Sequence, residues 1–490
     1  MNTDSLYSSL RDEIRDIRLV DAHNHLPTEA EWLEQPETFG YARDFTAFLG
    51  YARGDLTKAG MPLDALAGPL AAAEKWARIR PFWPYIRYTG PGAVCRRALR
   101  MFCGVEDLTD ETIPIIGERA QSLWRPGAYR RLFTEQHRIE VIVNTRNVEP
   151  VTETYADPFM APLLYTDLFA LTQSRRDIDR LEAASGQAVH SLQTFLRALD
   201  TVIERGVTQR GWVGIKWHKI PYLRPADYGA QDARAAEERL ARILRMPARG
   251  GHGWDTPVGV DEMRPFQDYI QHHLVQQAIE WDVAIQIHTG QLGSSQGAQI
   301  ANTRPSHLVD LFLQYPRARF DLLHGSFPYS GELGALAQLF ANVYINMSWM
   351  EVVSPEAAKR YLSEWLTSIP SNKVFAFGGD QKSPFLVCAS AEIVRDNLAE
   401  ALAAKVVRGE ISREHALDLA RWYLHDNPWN YFQLGKRWAN QLQDAEREGS
   451  PRGDPGGGGA HPPHDVAGVI PKAGKAPSGR SRNTQTGEPW

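Results

Sequence analysis

Asp21-Ala22-His23-Asn24-His25 closes the largely apolar run Ile17–Val20 and carries more chemical information than any other stretch of the chain. Side chains alternate faces along a strand, so His23 and His25 leave on the same side, as two imidazoles must if they grip one metal ion. A lone His-x-His is read equally well as a surface turn with two incidental histidines. What separates the two readings is whether other strand ends carry matching groups.

Short β-rich runs recur along the 490 residues with helical stretches between them, the pattern of βα units and a mostly parallel sheet. The runs predict strands at Ile17–Ala22, Ile139–Asn144, Leu163–Leu168, Trp212–Trp217, Val283–Ile287, Ala318–Leu323, Val343–Met347 and Val374–Phe377. Eight in series, most followed by a polar or glycine-bearing turn, predict an α/β chain folded as a (β/α)8 barrel over residues 1–448. The long spacer Pro27–Gln136, rich in Trp, Arg and helix formers, is expected to form a helical cap over the barrel mouth, since it directly follows the first candidate ligands. Ala230–Arg245 reads as an amphipathic helix and Arg249–Asp261 as a flexible glycine-bearing loop. A helix over Arg413–Leu424 is expected to end at Asp426-Asn427-Pro428, with Trp429, Tyr431 and Phe432 as packing anchors. Residues 449–490 turn to Gly, Pro, Ser and charge, a composition that predicts a disordered tail in which His461 and His464 have no metal role.

Composition removes several classes of function. A formal net charge of -5 leaves no basic footprint for nucleic acid. No uninterrupted apolar run approaches the roughly 18 residues of a membrane span, and the charged stretch Met1–Arg18 has no apolar core for a signal peptide. Three cysteines, Cys95, Cys103 and Cys388, without a Cys-x-x-Cys pair, provide neither a disulfide framework nor a structural zinc site, so the reducing cytoplasm is the expected compartment. The tail glycines lack a strand-then-helix setting for a phosphate loop, and no Gly-x-Ser-x-Gly elbow is present.

Three further strand ends carry polar groups where a barrel places its active site, at the C-terminal edges of the strands. Val283–Ile287 ends in His288-Thr289-Gly290, Phe320–Leu323 in His324-Gly325, and Val374–Phe377 in Gly378-Gly379-Asp380. Any one of these histidines reads as a satisfied core residue; their coincidence with His23 and His25 points to a Lewis-acid site, which needs about three or four N/O ligands and one open position. The candidate ligands are His23, His25, His288 and Asp380, with His324 as a fifth ligand or an acid/base. Such donors suit a divalent ion, zinc first, with iron, manganese or cobalt also accommodated. On the fourth strand Lys216 and His218 share a face; if it is the interior one, Lys216 pairs with a substrate anion or, carbamylated, bridges two metals, whereas a lysine on a strand edge also reads as a solvated end, and His218 is similarly open. Lys382 and Ser383 follow Asp380 on a loop and read equally as substrate contacts or polar loop.

In this order the landmarks resemble the amidohydrolase superfamily, and within it the amidohydrolase-related branch of hydrolases, decarboxylases and relatives of uronate isomerase. The resemblance spans roughly Val20–Phe432, and Val213-Gly214-Ile215-Lys216 is similar to the fourth-strand segment of nodulin/FluG-type members. It implies metal ligation by His23, His25, His288 and Asp380, with His324 as a ligand or as the group that polarises the substrate.

The expected chemistry is metal-assisted hydrolysis of a C–N or C–O bond in a small molecule. A metal-activated water attacks, Asp380 relays its proton to the leaving group, and His324 stabilises the developing oxyanion. One alternative uses the same ion for non-oxidative decarboxylation or uronate-type isomerisation of a carboxylate substrate, bound by Arg146, Lys216, Tyr222 and Arg224, which read equally as plain surface; His218 and Arg224 join Lys216 as general substrate-binding candidates. Another is a non-catalytic barrel scaffold. Helices of the cap are candidates for a homo-oligomer interface.

Overall fold

The computed structural model describes residues 3–34, 43–145, 159–245, 260–293 and 299–437. Eight parallel strands run in sequence order: β1 (Leu19–Asn24), β2 (Ile139–Thr145), β3 (Met160–Tyr165), β4 (Gly214–Trp217), β5 (Ala284–Ile287), β6 (Phe320–Leu322), β7 (Val343–Asn346) and β8 (Val374–Phe375). The ring closes where β1 meets the residues after β8, through Ala22 N to Phe377 O at 3.1 Å and Asp380 N to His23 O at 3.0 Å. This is a (β/α)8 barrel.

Most strands are buried throughout, because each is packed by helices outside and by its neighbours' side chains inside. The outer helices follow the expected stripe. In Leu192–Gln209 the buried positions Phe195, Ala198, Leu199, Val202, Ile203 and Gly206 fall on one face, and Ser191 caps the first turn by accepting from Thr194 N. Gly206 is required there, since a Cβ would lie 1.8 Å from the Trp212 ring that seats this helix against the start of β4.

Strand bounds shift from the sequence reading in several places: the first runs two residues later, Leu19–Asn24, the fourth and sixth are shorter, and the third and eighth differ for identifiable reasons. The third begins at Met160 and ends at Tyr165, because Thr166 turns to donate from its N and Oγ1 to Lys216 O, and Asp167–Ala170 is already a helical turn. The eighth stops at Phe375, since Ala376 N bonds Tyr423 O instead of continuing the ladder. The helix expected over Ala230–Arg245 runs Ala233–Leu244. That over Arg413–Leu424 is α-helical to Arg421 and widens to a π turn over Trp422–Asp426. Of the loop expected over Arg249–Asp261, Val260 and Asp261 open a helix, Val260–Glu280, and the remainder lies outside the described residues, as do Arg146 and the tail. Residues 27–136 contain short helices, among them Ala72–Ile79, Gly90–Ala98 and Thr112–Leu123. Among the described residues no helix is long and apolar enough to cross a membrane.

Away from the strand C-termini, a buried ionic knot ties the helix Pro384–Val407 to the entries of β1 and β2. Arg395 donates to Glu392 at 3.0 Å and to the carbonyls of Ile17 and His137, each at 3.0 Å, while the His137 ring meets Glu392 at 3.2 Å. Burial alone would raise the Glu392 carboxyl, but the His137 hydrogen bond and the charges of Arg395 and Arg15 overcome it and bring it to about 2. The unfolded carboxyl titrates near 4.5, so between the two values the unfolded state binds more protons, and the stability present above 4.5 is lost as pH falls toward 2. Glu392→Gln is therefore expected to cost about 3 kcal/mol in urea unfolding at pH 7, and the gap to wild type should close as pH drops from 4.5 toward 2. A gap independent of pH would refute the assignment.

Candidate active site

Two turns set the ends of β1 and β8 face to face. The Gly378-Gly379 pair leaves room for them: a Cβ on Gly378 would lie 2.3 Å from Ser348 Cβ, and one on Gly379 2.8 Å from Asn24 Nδ2. Asp21 accepts from His23 N (3.2 Å), Gly379 N (3.0 Å) and Asn24 Nδ2 (2.6 Å), and Asn24 Oδ1 accepts from His25 N and Gln381 N, each at 2.9 Å. These two side chains staple the strand ends together. Asp380 then sits at φ +45°, a conformation that non-glycine residues adopt at a cost and that surrounding bonds must enforce.

The result is a compact donor group. His23 Nε2 lies 3.4 Å and His25 Nε2 3.3 Å from the same oxygen, Asp380 Oδ1, and the three residues offer ligand atoms within 4.8 Å of one another. His25 Nδ1 is 2.8 Å from Thr145 O, so this nitrogen carries the proton and Nε2 turns a bare lone pair toward the carboxylate. Burial pushes both imidazoles below their ordinary range, His25 against the pull of Asp380, so both are neutral near pH 7. Two acceptors at 3.3 Å repel unless a positive centre lies between them. Two nitrogens and a carboxylate oxygen converging in this way fit a divalent ion, and both nitrogens of His23 are buried without a hydrogen-bond partner among the described residues.

The sequence profile of the amidohydrolase family matches residues 20–434. The chain belongs to the amidohydrolase family. It is 26% identical over 251 residues to protein fluG of Emericella nidulans, a match that covers 50% of this chain and 28% of the length of that relative. Among solved structures it resembles a uronate isomerase from Thermotoga maritima (TM-score 0.69, 16% identity, 88% of this chain and 99% of that one). It also resembles a glucuronate isomerase from Caulobacter crescentus (TM-score 0.69, 18% identity, 89% and 96%). At these identities the structural likeness is one of fold.

Other residues picked from sequence are arranged around the amidohydrolase donor group in a second ring. His324, at φ +62°, holds its Nδ1 2.8 Å from Ser348 O, so its proton is there, and its buried Nε2 has no hydrogen-bond partner among the described residues. Burial, against Asp380, pushes this imidazole down to about 3. His288 stays outside the 4.8 Å group: its ring lies 4.2 Å from that of His324 and stacks at 4.8 Å on His218, while Nε2 faces Gln291 O at 3.2 Å. Lys216 is fully buried with its ammonium unpartnered, and burial lowers it to about 7 against Asp380, Asp321 and Asp167. Tyr222, 5.0 Å from the His288 ring, also has an unpartnered buried hydroxyl. Arg224 is not part of this ring of orphaned atoms; its guanidinium goes to Gln267, Pro225 O and Asp268.

Sequence reading gave no role to several residues that the structure places at the site. Tyr51 donates to Asp380 Oδ2 at 3.3 Å from within the long insertion, and its ring leans on Trp349 at 4.8 Å. Asp21 and Asn24 stand inside the opening pentad, and a polar pair on a strand buried on both faces is itself a cue for positioning. Adding zinc or manganese to chelated protein at about 100 times Kd is expected to stabilise it by about 2.7 kcal/mol in thermal unfolding. His23→Ala should abolish the gain, and a gain that survives the substitution would place the metal elsewhere.

Proposed function

We propose that this amidohydrolase-family chain is a metal-dependent hydrolase of small molecules, with the ion held by His23, His25 and Asp380. The observation that carries the reading is the confrontation of bare His25 Nε2 with Asp380 Oδ1 at 3.3 Å in a buried site. A divalent ion bound there supplies Lewis acidity, lowering the pKa of water and polarising a carbonyl. Asp380 takes the proton of the attacking water and returns it to the leaving group, while Tyr51 fixes the carboxylate through Oδ2. His324 acts differently from the sequence expectation. Its proton is committed to Ser348 O, so Nε2 has none to donate to an oxyanion and instead accepts from substrate or water. Lys216 and Tyr222, the orphaned donors, bind the anionic or oxygen-rich end of the substrate. The insertion 27–136 closes the mouth, which Tyr51 enters and where Ala47 O accepts from Ser383 Oγ at 2.9 Å.

A second reading is isomerisation or decarboxylation of a carboxylate substrate. It is favoured by the bare Nε2 of His324 beside the unpartnered Nδ1 of His288, two bases that proton movement between carbons would use, with Lys216 for the carboxylate. Hydrolysis releases amine or alcohol, decarboxylation releases carbon dioxide, and isomerisation releases neither. A screen of amides, lactones and sugar acids with the zinc- or manganese-loaded protein tests both. On any substrate found, Asp380→Asn is expected to lower kcat by about 10²–10⁴-fold with the fold intact by circular dichroism. Wild-type turnover in that variant would remove Asp380 from the proton path.

A further inference from the structure

A second concentration of charge lies at the other end of the barrel, beside the ionic knot at the entries of β1 and β2. A cavity of about 560 Å³ opens there, within the size range of small-ligand sites. Arg15, Arg97 and Arg395 line it together with His137 and Glu392. The guanidiniums of these three and of Arg11, four in all, share two carboxylates. Asp396 pairs with Arg11 at 2.5 Å and with Arg97, and Glu392 pairs with Arg395 at 3.0 Å and with Arg15 at 3.5 Å. The cluster therefore carries two positive charges in excess. The side chains of Arg15 and Arg97 are 52% and 26% exposed, which leaves both open to a ligand from solvent. Arg395 is buried at 1%, and its Nε has no hydrogen-bond partner among the described residues.

Much of the remaining wall is apolar. The helix Gly90–Ala98, which carries Arg97, widens into a π turn over Leu99–Cys103, and Met101 and Phe102 of that turn line the cavity with Leu123. The Phe102 ring stands 6.0 Å from that of His137, so the apolar and the polar walls meet. A guanidinium fork matches a carboxylate or a phosphate, and its attraction for either grows where the pair is partly withdrawn from water.

We propose that this cavity is a binding site for a small organic anion, whose carboxylate or phosphate head pairs with Arg15 and Arg97 and whose apolar body packs on Met101, Phe102 and Leu123. The site is separate from the candidate active site. Arg395 holds the carbonyls of Ile17 and His137, which precede β1 and β2, whereas the donor group stands where β1 ends and after β8. The proposal depends neither on the metal nor on the reaction catalysed there.

The test is isothermal titration calorimetry of the full chain with benzoate, phenyl phosphate, acetate and the neutral benzamide. Benzoate or phenyl phosphate is expected to saturate one site, about tenfold more tightly than acetate because the ring is buried, and benzamide is expected not to bind. Arg97→Gln and Arg15→Gln should each weaken the aromatic anion about tenfold with the circular dichroism unchanged, while His23→Ala leaves its affinity intact. Arg15 is the more exposed of the two, so its variant decides the matter where Arg97→Gln fails to fold. Absence of saturable binding by either aromatic anion, or acetate or benzamide binding as tightly, would overturn the proposal. So would an affinity that both arginine variants keep, or one that His23→Ala abolishes.

Discussion

Everything at the mouth of this barrel depends on two imidazole nitrogens and a carboxylate oxygen being forced together. His23 Nε2 and His25 Nε2 lie 3.4 and 3.3 Å from one oxygen of Asp380, and the His25 proton is already used at Thr145 O. Left to themselves such groups would turn away, toward water or toward donors. They do not turn, because each is anchored from behind: His23 and His25 by a buried strand and Asp380 by a left-handed backbone held on His23 O. A cation held between these groups would turn the His25–Asp380 repulsion into attraction. Metal affinity and local strain are two views of the same geometry.

The anchoring is done by short polar side chains at the strand ends, used repeatedly. Asp21 and Asn24 bind β1 to the turn after β8, and Asn144 on β2 holds Leu26 by both its N–H (2.9 Å) and its carbonyl (3.0 Å). Thr166 and Asp167 do the same between β3 and β4. Lower in the barrel, Gln286 donates to Ala22 O at 3.0 Å and to Asp321 at 2.8 Å, and Asn346 reaches the same carboxylate at 3.1 Å. Each staple replaces the ladder bonds that parallel strands lose where they diverge into loops, so the site rests on bonded strand ends and not on free loops.

Much of this was legible in the sequence, and the limits were physical. Eight β-rich runs in series located the barrel, and the polar ends of four of them drew attention to His23, His25 and Asp380, which the fold brings within 4.8 Å of one another, and to His288, which it leaves outside that group. The start of β3 was missed because Pro162 argues against an interior strand position, although its carbonyl still accepts from Val213 N. That slip hid Tyr165 and Asp167, which then read as strand interior. Tyr51 reaches Asp380 across 329 residues and Arg224 finds Asp268 44 residues away, contacts that no local pattern encodes. Arg224 looked like an anion receptor only because its partner was invisible.

Two buried lysines show how structural and functional polar groups can be told apart. Lys373 and Lys216 are both pushed down by burial, to about 8 and about 7. The ammonium of Lys373 caps the carbonyls of Ala337 and Phe340 and lies 5.8 Å from the centre of the Tyr344 ring. That of Lys216 has no hydrogen-bond partner among the described residues, although Asp380, Asp321 and Asp167 surround it electrostatically. An unmade hydrogen bond on a buried polar atom costs about 1–3 kcal/mol, and more for a charged one. At the C-terminal end of this barrel that deficit recurs at His23, Lys216, Tyr222, His288 and His324. Lys216, unlike Lys373, therefore stands where the substrate of the proposed reaction would supply its partner.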